Sequence, residues 1–239
     1  MDTVEDVART RGVDMKTMYT AIILAAGDGT RSALPNKSWH AIAGKSLVEH
    51  CVAVFENDER CAEIIVVAKA EDIKTQAACF HERVDAWVEG GPTRTDSAKA
   101  GVEAAHMPHV LVHDAARPAL TNTLVGRIVE RLVDTDAVAP LVALGDTLKR
   151  LDDAGHIVED VDRDRLFALQ TPQGFKREKL LQAYRKASSA HTCDVTLFRA
   201  VEGGMVAFVE GESRNIKLTT SSDVEVLEAI LHDAHRKEH

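Results

Sequence analysis

Five short apolar runs with β-branched residues, spaced along the first 144 residues, constrain this chain most. Residues 21–26, 63–68, 84–89, 110–113 and 137–144 each read as a strand buried on both faces. The stretches between them, 46–57, 71–82, 95–106 and 121–132, read as helices. Residues 46–57 carry Leu47, Val48, Cys51, Val52, Val54 and Phe55 at helical spacing, and 95–106 carry Ala98, Val102 and Ala105. Alternation of this kind predicts an α/β fold: a mostly parallel sheet covered by helices on both faces. Ligands of such sheets lie beyond the carboxyl ends of the strands, which singles out the loops 27–37, 90–97 and 113–118.

The first run ends in Gly27-Asp28-Gly29, with Arg31 and Lys37 close behind. Glycines let backbone amides approach a ligand. Amide donors beside two cations make a triphosphate cradle. The spacing is neither the GxxxxGK[ST] of a Walker loop nor the GxGxxG of a dinucleotide turn. A plain strand-to-loop turn stays open as the alternative. Asp114 follows the fourth run and is a natural magnesium ligand, because magnesium takes one or two carboxylates together with phosphate oxygens. A turn aspartate is the alternative there. Arg117-Pro118 adds a cation to the same loop. Gly90-Gly91 leads into the third helix, where the Gly91 backbone and the Ser97 hydroxyl suit the edge of a nucleobase and Thr95 or Asp96 suits a helix cap. Asp162-Arg163 and Arg214-Asn215-Ile216-Lys217 supply further cations, for which a solvated surface is the alternative.

Beyond the fifth run, 146–151 and 156–161 around Asp152-Asp153-Ala154-Gly155 predict a β-hairpin, polar on both sides. Such a hairpin is marginal alone, so 145–163 is expected to pack on another chain as an arm. Residues 167–171 return to the core, ahead of helices 176–188 and 195–202, a strand 206–209 and a last helix 222–234. No linker or repeat divides the chain, so one domain, 19–239, is expected after an extension, 1–18, that is poorly packed or forms a short helix. That extension has mixed charge and resembles neither a signal nor a transit peptide. A formal net charge of −9 argues against a broad nucleic-acid or anionic-membrane surface. Cys51, Cys61, Cys79 and Cys193 show no CxxC or zinc spacing, as expected of reduced thiols in a cytoplasmic protein.

Ala-Ala-Gly-Asp-Gly-Thr-Arg, Gly-Gly-Pro-Thr-Arg-Thr-Asp-Ser, His-Asp-Ala-Ala-Arg-Pro, Gln-Thr-Pro-Gln-Gly-Phe and Arg-Asn-Ile-Lys-Leu-Thr occur in that order. Together they resemble the 2-C-methyl-D-erythritol 4-phosphate cytidylyltransferases, from about Thr20 to Leu231. The resemblance implies a Rossmann-like nucleotidyltransferase fold and a homodimer whose interlocking arm is the hairpin 145–163. It also implies CTP and magnesium, CMP transfer to a sugar-alcohol phosphate, release of pyrophosphate, and a place in non-mevalonate isoprenoid synthesis. By the same resemblance Ala25, Ala26, Gly27, Gly29, Arg31 and Lys37 hold the triphosphate and cytidine. Gly91, Ser97 and Ala115 complete the nucleotide site, and Asp114 holds the metal. Arg163 and Lys217 are the cations of the substrate phosphate and the transition state. Arg117 and Thr147 are contributed to the substrate by the neighbouring subunit. The chain departs from the pattern at Asn36, inserted between Pro35 and Lys37, at Pro92, and at Thr192-Cys193-Asp194-Val195. A ribitol-5-phosphate cytidylyltransferase and a non-catalytic nucleotide-binding regulatory subunit are the alternative functions.

Overall fold

The computed structural model describes residues 12–27, 37–187, 191 and 193–237. Strand β1 (Tyr19–Leu24) is followed by a tight hairpin, β2 (Ala41–Ile42) and β3 (Lys45–Ser46), and by helix α1 (Leu47–Glu56). Next come β4 (Cys61–Ala68), α2 (Ala70–Phe80), β5 (Ala86–Glu89), α3 (Arg94–Ala104), β6 (His109–Asp114), α4 (Asn122–Leu132) and β7 (Ala137–Ala143). The second half holds β8 (Leu148–Leu151), β9 (Ile157–Val161), β10 (Phe167–Leu169), β11 (Gln173–Lys176), α5 (Arg177–Lys186), α6 (Asp194–Glu202), β12 (Ala207–Glu210) and α7 (Ser222–Lys237).

Eight strands form one sheet in the order β10-β7-β11-β6-β1-β4-β5, with β12 also paired to β7. The pairs β1–β4, β1–β6, β4–β5 and β7–β12 are parallel, whereas β10 and β11 run antiparallel to their neighbours. The alternation of β1 explains why both faces need helices. Tyr19, Ala21 and Ile23 enter the layer shared with α1 and α4, and Ile22 enters the layer shared with α3, α5 and α6. On α4, Leu124, Val125, Ile128, Val129 and Leu132 form the buried stripe, each contributing about 2 kcal/mol by removal from water. Gly101 on α3 permits a close approach, since a Cβ there would lie 2.5 Å from Ile22 Cγ2.

The structure differs from two of the sequence expectations. Core packing begins before residue 19: Met18 is fully buried and packs with Met107 and Val13. Residues 173–176 form a strand between β6 and β7, and the following helix starts only at Arg177. Gly174 makes room for that strand, because a Cβ there would meet Ile128 Cγ2 at 2.8 Å. The hairpin β8–β9 forms as expected, but it exposes Leu151, Ile157 and Val158.

Candidate active site

The chain moves outward from β1 to β4 and β5, then crosses back to β6 on the other side of β1. A reversal of strand order opens a crevice beyond the carboxyl ends of the two strands involved. Leu24 and Asp114 pair in register at those ends. The Ala115 amide donates to Leu24 O (3.0 Å), and the Ala25 amide to Val67 O (2.7 Å). Ala25, Ala26 and Gly27 thus leave the sheet beside Asp114 and Ala115. The turn after β5 closes on them, for a Cβ on Gly90 would lie 2.4 Å from Ala26 Cβ and 2.9 Å from Ser97 Oγ. Ser97 Oγ in turn donates to Gly91 O (3.3 Å). Thr93, rather than Thr95 or Asp96, caps α3: its hydroxyl accepts from the Asp96 amide, and the Asp96 carboxylate accepts from the Thr93 amide.

That cap places Arg94 in the first turn of α3, aimed at Asp114. Arg94 Nε and Nη2 donate to Asp114 Oδ1 (3.1 and 3.0 Å), and Lys217 Nζ donates to Asp114 Oδ2 (2.6 Å). Arg94 Nη1 donates to Asp194 Oδ2 (2.7 Å), and the Tyr184 hydroxyl to Asp194 Oδ1 (2.7 Å). Burial pushes the Asp114 carboxyl up, but Arg94 and then Lys217 outweigh it and hold the group well below the usual carboxylate range. For Arg94, burial is outweighed by Asp194 and Asp114, which secure its charge. Lys37 Nζ donates to Leu218 O (3.3 Å), so both lysines stand at one strap of chain. The strap is tied down by Leu218 N to Ala116 O (2.8 Å) and by Asn215 Nδ2 to Thr171 O (2.9 Å). A cleft of ≈ 780 Å³ lies elsewhere, lined in part by Phe167, Phe208 and Leu231, and holds none of these charges.

Residues 19–233 match the family model for 2-C-methyl-D-erythritol 4-phosphate cytidylyltransferase, IspD. The chain belongs to this family. A protein of that name from Bacillus licheniformis is 37% identical over 230 residues, 92% of this chain and 99% of the relative. The bifunctional enzyme IspD/IspF of Rhizobium etli is 38% identical over 217 residues, 85% of this chain and 54% of the relative, so the chain spans about half of that protein. Among solved structures, the 4-diphosphocytidyl-2C-methyl-D-erythritol synthase of Anaerococcus prevotii superposes with a TM-score of 0.78 at 28% identity, covering 91% of this chain and 99% of that one. The 2-C-methyl-D-erythritol 4-phosphate cytidylyltransferase of Thermus thermophilus gives 0.76 at 30%, covering 88% and 98%.

Ala25, Ala26, Gly27, Lys37, Gly91, Ser97, Asp114, Ala115 and Lys217 gather at the carboxyl ends of the sheet. Gly29 and Arg31 lie outside the described residues, as does Asn36. Arg117 differs from expectation. It turns inward, where Nη1 donates to Asn215 O (2.7 Å) and Nη2 to Leu169 O (3.4 Å), and so braces the Lys217 strap of its own chain. Thr147 is exposed on the arm, and Arg163 donates to Gly145 O at the arm's base; both stand apart from the hydrogen bonds around Asp114. Arg94 and Asp194 are the residues that sequence reading missed. The Thr93–Asp96 spacing of a capping box was the available signal, since it fixes Arg94 in the first turn. Among the described residues no group of three or more His, Cys, Asp or Glu is arranged to hold a metal by itself. A single ionised carboxylate, Asp114, suits a magnesium ion whose other ligands are phosphate oxygens and water.

Proposed function

We propose that this chain transfers CMP from CTP to 2-C-methyl-D-erythritol 4-phosphate, yielding 4-diphosphocytidyl-2-C-methyl-D-erythritol and pyrophosphate. The observation that carries the reading is the meeting of Asp114, Lys217 and Lys37 beside the Ala25–Gly27 and Gly90–Gly91 turns, in a chain that matches the cytidylyltransferase family over nearly its whole length. A phosphate oxygen of the sugar substrate forms a bond to the α-phosphorus of CTP as the bond to the bridging oxygen breaks and pyrophosphate leaves. With a second pKa of about 6 the phosphate monoester is already a dianionic nucleophile near neutrality, so no general base is required. The chain's task is alignment of two anions and neutralisation of charge growing on the α-phosphate and the leaving group. Lys217 and Lys37 serve that task, together with Arg31. Asp114 would hold magnesium, which when bound adds a divalent charge to the triphosphate. The narrow Gly90–Ala26 contact and the Ser97 hydroxyl suit a flat pyrimidine.

The reading includes a homodimer, supported by the exposed apolar side chains of the arm, with Thr147 and Arg163 brought to the substrate by a neighbouring subunit. It also includes a cytoplasmic location, which suits four cysteines that form no disulfide. No helix among the described residues is long and apolar enough to cross a membrane.

Pyrophosphate release, measured with CTP, magnesium and each of two acceptors, tests the reading. We expect turnover with 2-C-methyl-D-erythritol 4-phosphate, and a fall of about 100- to 1,000-fold in kcat for Lys217→Ala or Lys37→Ala with an unchanged melting temperature. Near-normal turnover in either variant overturns the assigned roles, and preference for ribitol 5-phosphate overturns the substrate.

A further inference from the structure

The Asp114 carboxylate has both oxygens taken, Oδ1 by Arg94 and Oδ2 by Lys217. A metal ion arriving there competes with these cations for the lone pairs of the carboxylate. Lys217 is 41% exposed and can leave Oδ2 for solvent or a phosphate group, so a metal held on Oδ2 alone leaves Arg94 in place, whereas one that also takes Oδ1 must displace the largely enclosed Arg94. A guanidinium with a single carboxylate partner would be stranded by such a displacement, because an unpaired buried charge is strongly destabilising. Arg94 has a second partner. Asp194, with no exposed side-chain surface, accepts Nη1 at 2.7 Å and is itself fixed by the Tyr184 hydroxyl at 2.7 Å. Beside this pair, Thr95 Oγ1 donates to His191 O at 2.9 Å, tying the first turn of α3 to the segment that leads into α6.

We propose that Asp194 is a positioning residue that holds Arg94 as a removable stand-in for the divalent cation on Asp114. Arg94 neutralises Asp114 while no metal is bound, and Asp194 keeps it paired once a metal takes Oδ1. Asp194 thereby weakens the grip of Arg94 on Asp114 and sets how readily the metal site opens. The inference rests on Asp114 as the metal ligand of the proposed function.

Binding of Mn²⁺ in the presence of CTP and without the sugar phosphate, followed by the electron paramagnetic resonance of free Mn²⁺, tests it independently of turnover. Asp194→Asn is expected to weaken Mn²⁺ binding about tenfold, and Arg94→Gln to strengthen it several-fold. The double variant is expected to match Arg94→Gln, because Asp194 acts only through Arg94. Long-range charge alone makes the two effects additive, and a purely structural role makes both single variants bind less. Either pattern overturns the proposal, as does wild-type binding in Asp194→Asn. Arg94→Gln leaves Asp194 buried beside one partner; should it fail to fold, the double variant carries neither charge and must bind Mn²⁺ more tightly than wild type for the proposal to stand. Asp114→Asn separates the two levels: Mn²⁺ binding undiminished in that variant removes the metal role of Asp114 and the inference with it.

Discussion

His113 sits one residue before Asp114 on β6 and is fully buried against Phe55. Its hydrogen bonds define one neutral tautomer. Nε2 lies 3.0 Å from Arg117 O and so must donate, while Nδ1 lies 3.0 Å from Thr171 Oγ1, which in turn accepts the Asp114 amide at 3.1 Å. Burial pushes the imidazole down to about 4. The unfolded chain binds the same proton with a pKa of about 6.5. The folded state therefore stays neutral while the unfolded state charges. This contribution is complete above pH 6.5 and is lost as pH falls towards 4. Urea unfolding of the metal- and nucleotide-free protein should show about 2 kcal/mol less stability at pH 4.5 than at pH 7 from this group, and His113→Gln should abolish that share. Neither His113 nor Arg94 was legible from the sequence as a builder of the site. Their roles come from partners far along the chain, 58 residues away for His113 and 100 for the Arg94–Asp194 pair. Asp114 and Lys217 stood out because their chemistry is local to a strand end and a short motif.

The elements themselves were more legible, because apolar period and turn glycines are local signals. Strands β1, β4, β5, β6 and β7 and the helices between them lie where the pattern put them, with the boundaries set by packing: β1 opens at Tyr19, whose hydroxyl donates to Asp58 Oδ2 at 3.1 Å. β11 escaped, since four residues including a glycine carry no alternation to read. The site depends on how two elements meet at Gly90. A methyl group there would drive into Ala26 Cβ, which its backbone holds in place, and would crowd Ser97 Oγ. Gly90→Ala should lower stability by about 1–3 kcal/mol. It should also raise KM for CTP more than it lowers kcat, since the displaced turn belongs to the nucleotide side. Steady-state kinetics with the melting temperature separates the two effects, and an unchanged KM would remove the Ala26–Gly90 contact from the nucleotide site.

At the scale of the whole molecule, the residues of the proposed site fall in two separate places within one chain. Asp114, Lys217 and Lys37 converge at the end of the sheet, but Arg163 and Thr147 sit on a projecting arm whose Leu151, Ile157 and Val158 are each more than half exposed. An apolar arm of this kind gains by covering itself on a second copy. In a closed two-fold pair each copy would then lend its arm to the other's cluster. Genetic mixing distinguishes that arrangement from a site built within one chain. Lys217→Ala spoils the cluster and Arg163→Ala spoils the arm, so each homodimer is expected to be inactive. In a mixed dimer with shared sites, one site receives both lesions and the other receives neither. Coexpression of the two variants in equal amounts should therefore restore about a quarter of wild-type activity, from half the dimers carrying one intact site each. A site built within one chain carries a lesion in every copy, and the mixture would stay as inactive as its components.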